Sequence, residues 1–191
     1  KILRIKPTAE GGYTIPEGNL YPAGIYHAKP EIYVMGNRNP YRISVDKRTG
    51  FLYWGEVGPD AGEDSKKYGP RGHDEVNQAR SAGYFGWPLF VADNRPYNQR
   101  DFNNDSTWSV FNPKAPVNDS PHNTGFAHLP PAQKAFIYYD EKLKDQLTSY
   151  VDHIAIAQKF ATYFKDPDLS AQILTELMDR FGSNPEIMKA I

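Results

Sequence analysis

Two patterns of hydrophobic and polar positions divide the chain near residue 140. Before that point, apolar and polar residues alternate over short runs, which is typical of β-strands with one buried face. After it, apolar residues recur at three- and four-residue steps, the spacing of one face of a helix. We therefore predict a mainly β segment over residues 1–140 and a helical segment over residues 141–191.

The β-rich segment contains one clear hairpin. The runs RISVD and FLYWGE flank KRTG, whose Gly50 suits the left-handed position of a tight turn. Further strands are predicted at KILRIK, EIYVMG, DEVNQA and KAFIYYD, whereas residues 93–128 show little periodicity and are predicted to be a long irregular loop. Because KILRIK begins at residue 1, with nothing before it to pair with, we expect a fragment or a processed chain.

The helical segment carries ordinary start and stop signals. Asp166 and Pro167 suit a helix N-terminus, and Gly182 suits a C-terminus. We predict a small helical bundle that packs on itself or on the β part. A partner-docking module remains the alternative.

Composition narrows the class of protein. The 191 residues carry a net charge of −1, which gives no indication of a nucleic-acid or anionic-membrane partner. No apolar run approaches the roughly 20 residues that span a bilayer. The chain has no cysteine, so disulfides and cysteine-based zinc sites are excluded, while the cellular compartment stays undecided.

An acidic loop with two Gly-Pro steps follows the hairpin. Such a loop is either a solvated surface loop or a cation site, and it lacks the ligand spacing of an EF-hand. Proline forces the preceding residue out of the helical region and removes a backbone donor. Carbonyl oxygens at Gly58 and Pro59 could then face one side, where they would suit a hard cation.

The turn GNRNPYR, residues 36–42, contains a second candidate site. Arg38 offers a planar fork of donors that fits a carboxylate, and Asn39 adds an amide. An ordinary surface turn is the competing interpretation. The histidines do not lie at metal-ligand spacing, and none can be assigned as a catalytic base; they are His27, His73, His122, His128 and His153.

Four motifs occur in the order GNRNP, GEVGP, GHDE and FGWP. As an ordered set over about residues 1–139, they resemble the soluble glucose/sorbosone dehydrogenase family, whose members are six-bladed β-propellers that use pyrroloquinoline quinone (PQQ) and calcium. The resemblance implies a partial propeller of one to two blades with long loops, followed here by the helical bundle. It also implies export to the periplasm or secretion from a bacterium.

The resemblance implies roles for five residues. Arg38 and Asn39 would bind the quinone, Asp74 would lie near the quinone and a metal-bound water, and the carbonyls of Gly58 and Pro59 would ligate calcium. We expect Arg38 and the Gly58–Pro59 peptide to converge on the cofactor. The implied reaction is oxidation of a sugar, with hydride transfer to the quinone and onward transfer to an electron acceptor.

The sequence departs from the family pattern at several positions. Val57 stands where a polar residue often precedes Gly-Pro, Asn37 replaces a common histidine, and the loop between Pro59 and His73 carries an insertion. The family's catalytic base and further cofactor-binding residues belong to other blades, so the remaining blades or another chain are expected partners. The missing base keeps a rival open: a non-catalytic carbohydrate-binding or interaction scaffold.

Overall fold

The computed structural model describes residues 1–140, which form strands and loops without any helix. No described residue therefore belongs to a helix that could cross a membrane. The strands are β1 (Ile2–Leu3), β2 (Lys6–Pro7), β3 (Tyr13–Thr14), β4 (Ile32–Met35), β5 (Pro40–Val45), β6 (Leu52–Glu56), β7 (His73–Ala79), β8 (Gly83–Tyr84), β9 (Phe90–Val91), β10 (Arg95–Pro96), β11 (Asn98–Asp101), β12 (Ser106–Val110) and β13 (Ile137–Asp140).

The largest sheet has four antiparallel strands in the order β13-β7-β6-β5. The predicted hairpin is confirmed as β5 and β6. Its turn is held by Asp46, whose carboxylate accepts hydrogen bonds from the amides of Arg48 and Thr49 at 3.0 and 3.2 Å. Gly50 closes the turn with a φ of 72°, a conformation that costs glycine little because it has no Cβ.

One face of this sheet packs against a second sheet, ordered β1-β4-β8. Strand β6 alternates buried and half-buried residues, and its Trp54 is 2% exposed. The Trp54 ring meets Phe85 edge-on at 4.8 Å, and Val34 is fully buried in the same cluster. Full burial of each such side chain stabilises the fold by about 1.5–3 kcal/mol.

The predicted strands differ from the observed ones at two places. KILRIK is interrupted, since β1 pairs with β4 whereas β2 pairs with β3. The predicted loop at 93–128 contains strands β10 to β12. Asp101 organises the β11–β12 turn by accepting hydrogen bonds from the side chains of Asn103 and Asn104. Such a turn shows no hydrophobic periodicity in the sequence, so the strands beside it were not predicted.

The predicted fold class was wrong. A mainly β chain with one to two propeller blades and a helical bundle was expected, whereas the described residues form five small sheets and no helix. Glycine and proline interrupt the chain so often that many strands have two residues. The helical bundle predicted for residues 141–191, and the boundary near residue 140, lie at or beyond the end of the described residues.

Candidate functional site

Glu56, at the end of β6, anchors the turn that carries Arg38. Its carboxylate accepts hydrogen bonds from the backbone amide of Asn39 and from the side-chain amide of Asn37, the latter at 3.2 Å. The indole of Trp54 donates to the same carboxylate at 3.0 Å. Glu56 is 7% exposed, so a buried carboxylate with three donors fixes the course of the turn.

Arg38 lies beside the Gly-Pro segment that follows β6. Its Nη1 donates a hydrogen bond to the carbonyl of Val57 at 3.1 Å, and Val57 immediately precedes Gly58. The backbone of Val57 is also paired, because its amide donates to the carbonyl of Asn39 at 3.1 Å. The Arg38 guanidinium lies 5.8 Å from the ring centroid of Trp87 and is exposed. An exposed guanidinium over an aromatic ring can still bind a planar anion.

Gly58 and Asp74 form the buried part of the site. The Asp74 carboxylate accepts a hydrogen bond from the Gly58 amide at 2.9 Å, and Asp74 is 6% exposed. A Cβ at position 58 would lie 2.0 Å from the carbonyl oxygen of His73, so only glycine fits there. The carbonyl of Pro59 accepts a hydrogen bond from the Ala61 amide at 2.8 Å, which leaves it one further lone pair.

The five residues singled out in the sequence thus lie in one region, with different exposures. Arg38, Gly58 and Asp74 are connected through the Val57–Gly58 peptide. Asn39 lies in the same turn and pairs with Glu56 and Val57 through its backbone, while the residue itself is exposed. The cofactor and metal roles of these residues stay predictions.

Glu75 is a second buried carboxylate directly opposite Glu56. The two residues are paired across β6 and β7, so their side chains share one face of the sheet. Burial raises the pKa of Glu75 to about 7 against the lowering effect of hydrogen bonds from Asn77 and the Ala92 amide, and the nearby charges of Glu56 and Asp74 raise it further. This strand end therefore concentrates negative charge in a poorly solvated region.

His73 is held by partners on both ring nitrogens. Nδ1 lies 3.0 Å from the Arg71 carbonyl, and Nε2 lies 3.3 Å from Nη1 of Arg95. A carbonyl can only accept and a guanidinium can only donate, so Nδ1 is placed to donate to the carbonyl and Nε2 to accept from the guanidinium. Asp64 completes the network by accepting a hydrogen bond from Arg95 at 3.0 Å.

The acidic loop is tied back on itself through the same Asp64. Its carboxylate accepts a hydrogen bond from the Arg71 amide at 2.9 Å, and the Gly72 amide donates to the carbonyl of Ala61 at 2.8 Å. Ser65 and Gly69 exchange backbone hydrogen bonds at the loop tip. The loop between the two Gly-Pro steps is therefore closed by its own hydrogen bonds, and the chain returns to the sheet at His73.

A cleft of about 1040 Å³ opens beside this region. Asn37 and Trp87 line it, together with aromatic residues at its other walls: Tyr13, Tyr21, Tyr26 and Phe126. The side-chain oxygen Oδ1 of Asn37 is buried without a hydrogen-bond partner among the described residues. Aromatic faces combined with an unpaired amide oxygen suit a polyhydroxylated ligand.

Sequence reasoning missed three residues of this region. Glu56 lies in the GEVGP motif, but no role was predicted for it. Its position opposite Glu75 at the ends of paired strands could have indicated one. Trp87 stood in the quoted FGWP motif, again without a role. Tyr97, whose ring centroid lies 6.2 Å from that of Trp87, belongs to a segment interpreted as irregular, and no local pattern in the sequence identifies it.

Side chains alone do not form a metal centre among residues 1–140. No group of three or more His, Asp or Glu side chains in this range could hold a metal ion. Any hard cation near Gly58 would therefore depend on main-chain oxygens, water and oxygen atoms of a ligand.

Comparison with known proteins gives one family and a distant relative. The sequence profile of the family described as Glucose / Sorbosone dehydrogenase matches residues 1–132. The HIPL2 protein of Arabidopsis thaliana is 28% identical over 111 residues, which cover 58% of this chain and 12% of that protein. This chain thus corresponds to a small part of that relative's length. No solved structure matches the chain.

Proposed function

Because this chain belongs to the glucose/sorbosone dehydrogenase family, we propose that it binds PQQ and calcium and takes part in the oxidation of a sugar. One observation carries the proposal: the Arg38 guanidinium contacts the carbonyl next to Gly58 at 3.1 Å. An anion-binding group and the main-chain oxygens suited to a cation are thereby brought together, although they come from separate motifs.

The donors present fit a quinone that carries carboxylates. Arg38 has one hydrogen bond to Val57 and is exposed, so most of its five donors remain for a carboxylate. The exposed Asn39 stands next to it in the turn. We propose that Arg38 and Asn39 bind the quinone, and that the Trp87 ring limits the space beside the guanidinium.

The oxygen atoms around Gly58 fit calcium in part. Gly58 and Pro59 would supply two carbonyls, and Asp74 would hold the Gly58 peptide and a metal-bound water. Calcium takes six to eight oxygen ligands, so the quinone and water would complete the shell. These residues would hold PQQ and calcium, which would supply a hydride acceptor for the sugar and a Lewis acid.

The protein's own contribution is binding and orientation. Glu56 fixes the turn, Asp74 fixes the Gly58 peptide, and the aromatic cleft beside Trp87 would receive the sugar. His73 is not assigned as a base because both ring nitrogens are in contacts. We propose that the base comes from another chain or from protein outside the described residues, that the electron acceptor is a separate partner, and that the protein is exported to the bacterial periplasm or secreted.

Titration of the chain with PQQ in the presence of calcium tests the proposal. We expect saturable binding at micromolar PQQ, followed by absorbance, and a higher melting temperature. Arg38→Ala should weaken binding by about 10- to 100-fold, since a hydrogen bond to a charged group contributes about 1.5–3 kcal/mol. Arg80→Ala is the matched control, because Arg80 is exposed and contacts Phe51 at the other end of the hairpin.

A second candidate is a carbohydrate-binding scaffold without catalysis. The observation that favours it is the aromatic cleft, which exists independently of Arg38, together with the two occupied nitrogens of His73. Sugar binding that is unaffected by Arg38→Ala, with no PQQ binding and no dye reduction, would favour the scaffold. PQQ binding that depends on Arg38 would favour the dehydrogenase.

A further inference from the structure

The side chain of Tyr97 has a buried hydroxyl without a hydrogen-bond partner among the described residues. Tyr97 lies between β10 and β11, and its backbone is firmly held: its amide donates to the Leu89 carbonyl at 3.0 Å, and its carbonyl accepts from the Phe111 amide at 3.1 Å. A Cβ on Gly69 would lie 2.9 Å from its Cα. The position of the phenol is therefore set by close packing on the backbone.

The phenol shares its surroundings with Arg38. The rings of Tyr97 and Trp87 meet edge-on, with centroids 6.2 Å apart, and the Arg38 guanidinium lies 5.8 Å from the same Trp87 ring. The charges of Arg38 and Arg95 both act on the phenol, and Glu75 opposes them. The hydroxyl thus lies within the electrostatic influence of Glu75 and of two arginines, and of these Arg38 is exposed and open to an anionic ligand.

The hydroxyl is a donor at neutral pH. Burial, supported by the charge of Glu75, raises the pKa of Tyr97 to about 12 despite the opposite effect of the two arginines. A buried polar group without a partner is unfavourable, and most such groups in native proteins are paired. A buried donor whose ring packs on Trp87, the ring that Arg38 also approaches, indicates an oxygen acceptor supplied by a ligand.

We propose that the Tyr97 hydroxyl donates a hydrogen bond to a carboxylate oxygen of the ligand that Arg38 binds, which makes Tyr97 a binding residue for an aromatic polycarboxylate. The inference rests on the proposed function, in which this ligand is PQQ. It adds to the site a residue that lies outside the four motifs and outside the β5–β6 hairpin.

The test compares the 191-residue chain with its Tyr97→Phe variant. PQQ is titrated with calcium present, and quenching of tryptophan fluorescence reports binding. We expect Tyr97→Phe to weaken PQQ binding by about 10-fold, the effect of one hydrogen bond of roughly 1–1.5 kcal/mol. Tyr41→Phe, which removes an exposed hydroxyl, should leave the affinity unchanged.

Stability without ligand separates binding from a structural role. Because the hydroxyl has no hydrogen-bond partner within residues 1–140, Tyr97→Phe should leave the free energy of unfolding unchanged or slightly higher in the absence of PQQ. A clear loss of stability together with unchanged affinity would mean that the hydroxyl serves the fold, which would overturn the inference.

The trimethyl ester of PQQ tests whether the acceptor is a charged carboxylate. The ester keeps only neutral carbonyl acceptors, so it should bind weakly, and the difference between the parent and Tyr97→Phe should be clearly smaller than 10-fold. A 10-fold difference that persists with the ester would show that the hydrogen bond does not depend on a carboxylate and would overturn the inference. Equal PQQ binding by both proteins would overturn the inference alone, whereas no PQQ binding by the parent would overturn the proposed function and the inference together.

Discussion

The carboxylate of Asp74 accepts a hydrogen bond from the amide of Gly58 at 2.9 Å, across a separation of 16 residues. The intervening loop leaves the sheet after β6 and returns at β7, so this hydrogen bond closes the excursion at its base. The Gly58 amide is buried. Among the described residues it donates to this carboxylate, which therefore fixes the orientation of the Val57–Gly58 peptide, directly before the carbonyls of the proposed calcium ligands.

Removing the Asp74 side chain should destabilise the chain. Asp74→Ala leaves a buried amide unpaired, which is expected to lower the free energy of unfolding by about 1–3 kcal/mol. Asp74→Asn keeps an oxygen acceptor of the same shape and should cost less. Urea denaturation of both variants checks the order; equal losses would show that charge, rather than the hydrogen bond to Gly58, is what matters.

Adding a methyl group at position 58 should destabilise the chain far more than adding one at position 55. Gly58→Ala brings a Cβ to 2.0 Å from the His73 carbonyl oxygen, so backbone has to move, whereas a Cβ at Gly55 meets nothing within 4 Å. We expect Gly58→Ala to cost about 1–3 kcal/mol, the usual range for overpacking, and to weaken calcium binding. Gly55→Ala is the control for thermal denaturation, and it should remain near the parent.

Stability of the calcium-free chain should fall as pH rises from about 4.5 to 7. The folded pKa of Glu75 is raised from 4.5 to about 7, so the folded state binds more protons than the unfolded state within this window. Stability is highest below the window and is lost as Glu75 ionises. The shift corresponds to roughly 3 kcal/mol at about 1.4 kcal/mol per pH unit.

Glu75→Gln should remove this pH dependence. The Gln side chain can still accept from the Ala92 amide, as the carboxylate does at 2.6 Å. Its amide can donate to Oδ1 of Asn77, which has no partner among the described residues, once the Asn77 amide rotates. The difference in the free energy of unfolding between pH 5 and pH 8, measured by urea denaturation, should be smaller for this variant than for the parent. An unchanged difference would exclude Glu75 as the titrating group.

Replacing Glu56 should loosen the turn that carries Arg38. In Glu56→Gln an amide group must face at least one of the donors that now point at the carboxylate, from Asn37, Asn39 and Trp54. We expect a loss of about 1–3 kcal/mol in stability and weaker PQQ binding. Glu10→Gln, at an exposed position, is the matched control for fluorescence-monitored unfolding.

Local signals in the sequence predicted local structure. The β5–β6 hairpin was predictable because Asp46 and Gly50 determine the turn from within it. The contact between Arg38 and the Gly58 region was expected only through the family resemblance. No sequence pattern between Arg38 and Gly58 indicates that Glu56 holds these two segments together.

The rest of the site depends on long-range packing that leaves no periodic pattern. Tyr97 contacts Trp87 from a segment that forms two-stranded sheets. The residues of these sheets are mostly polar, so no alternation of apolar residues predicts the strands. The raised pKa of Glu75 likewise arises from burial between strands, and a short acidic motif such as DE looks the same whether exposed or buried. The fold class was mispredicted for a related reason, since hairpin spacing does not determine how many sheets the connecting loops form.

Strand β5 also affects how the chain behaves at high concentration. It is the outermost strand of its sheet, and Tyr41, Ile43 and Val45 on one of its faces are 66%, 56% and 59% exposed. An apolar strand with an open edge is a template for pairing with other chains. Aggregation through this edge would mimic a loss of cofactor binding, so dilute samples and light scattering belong with every titration.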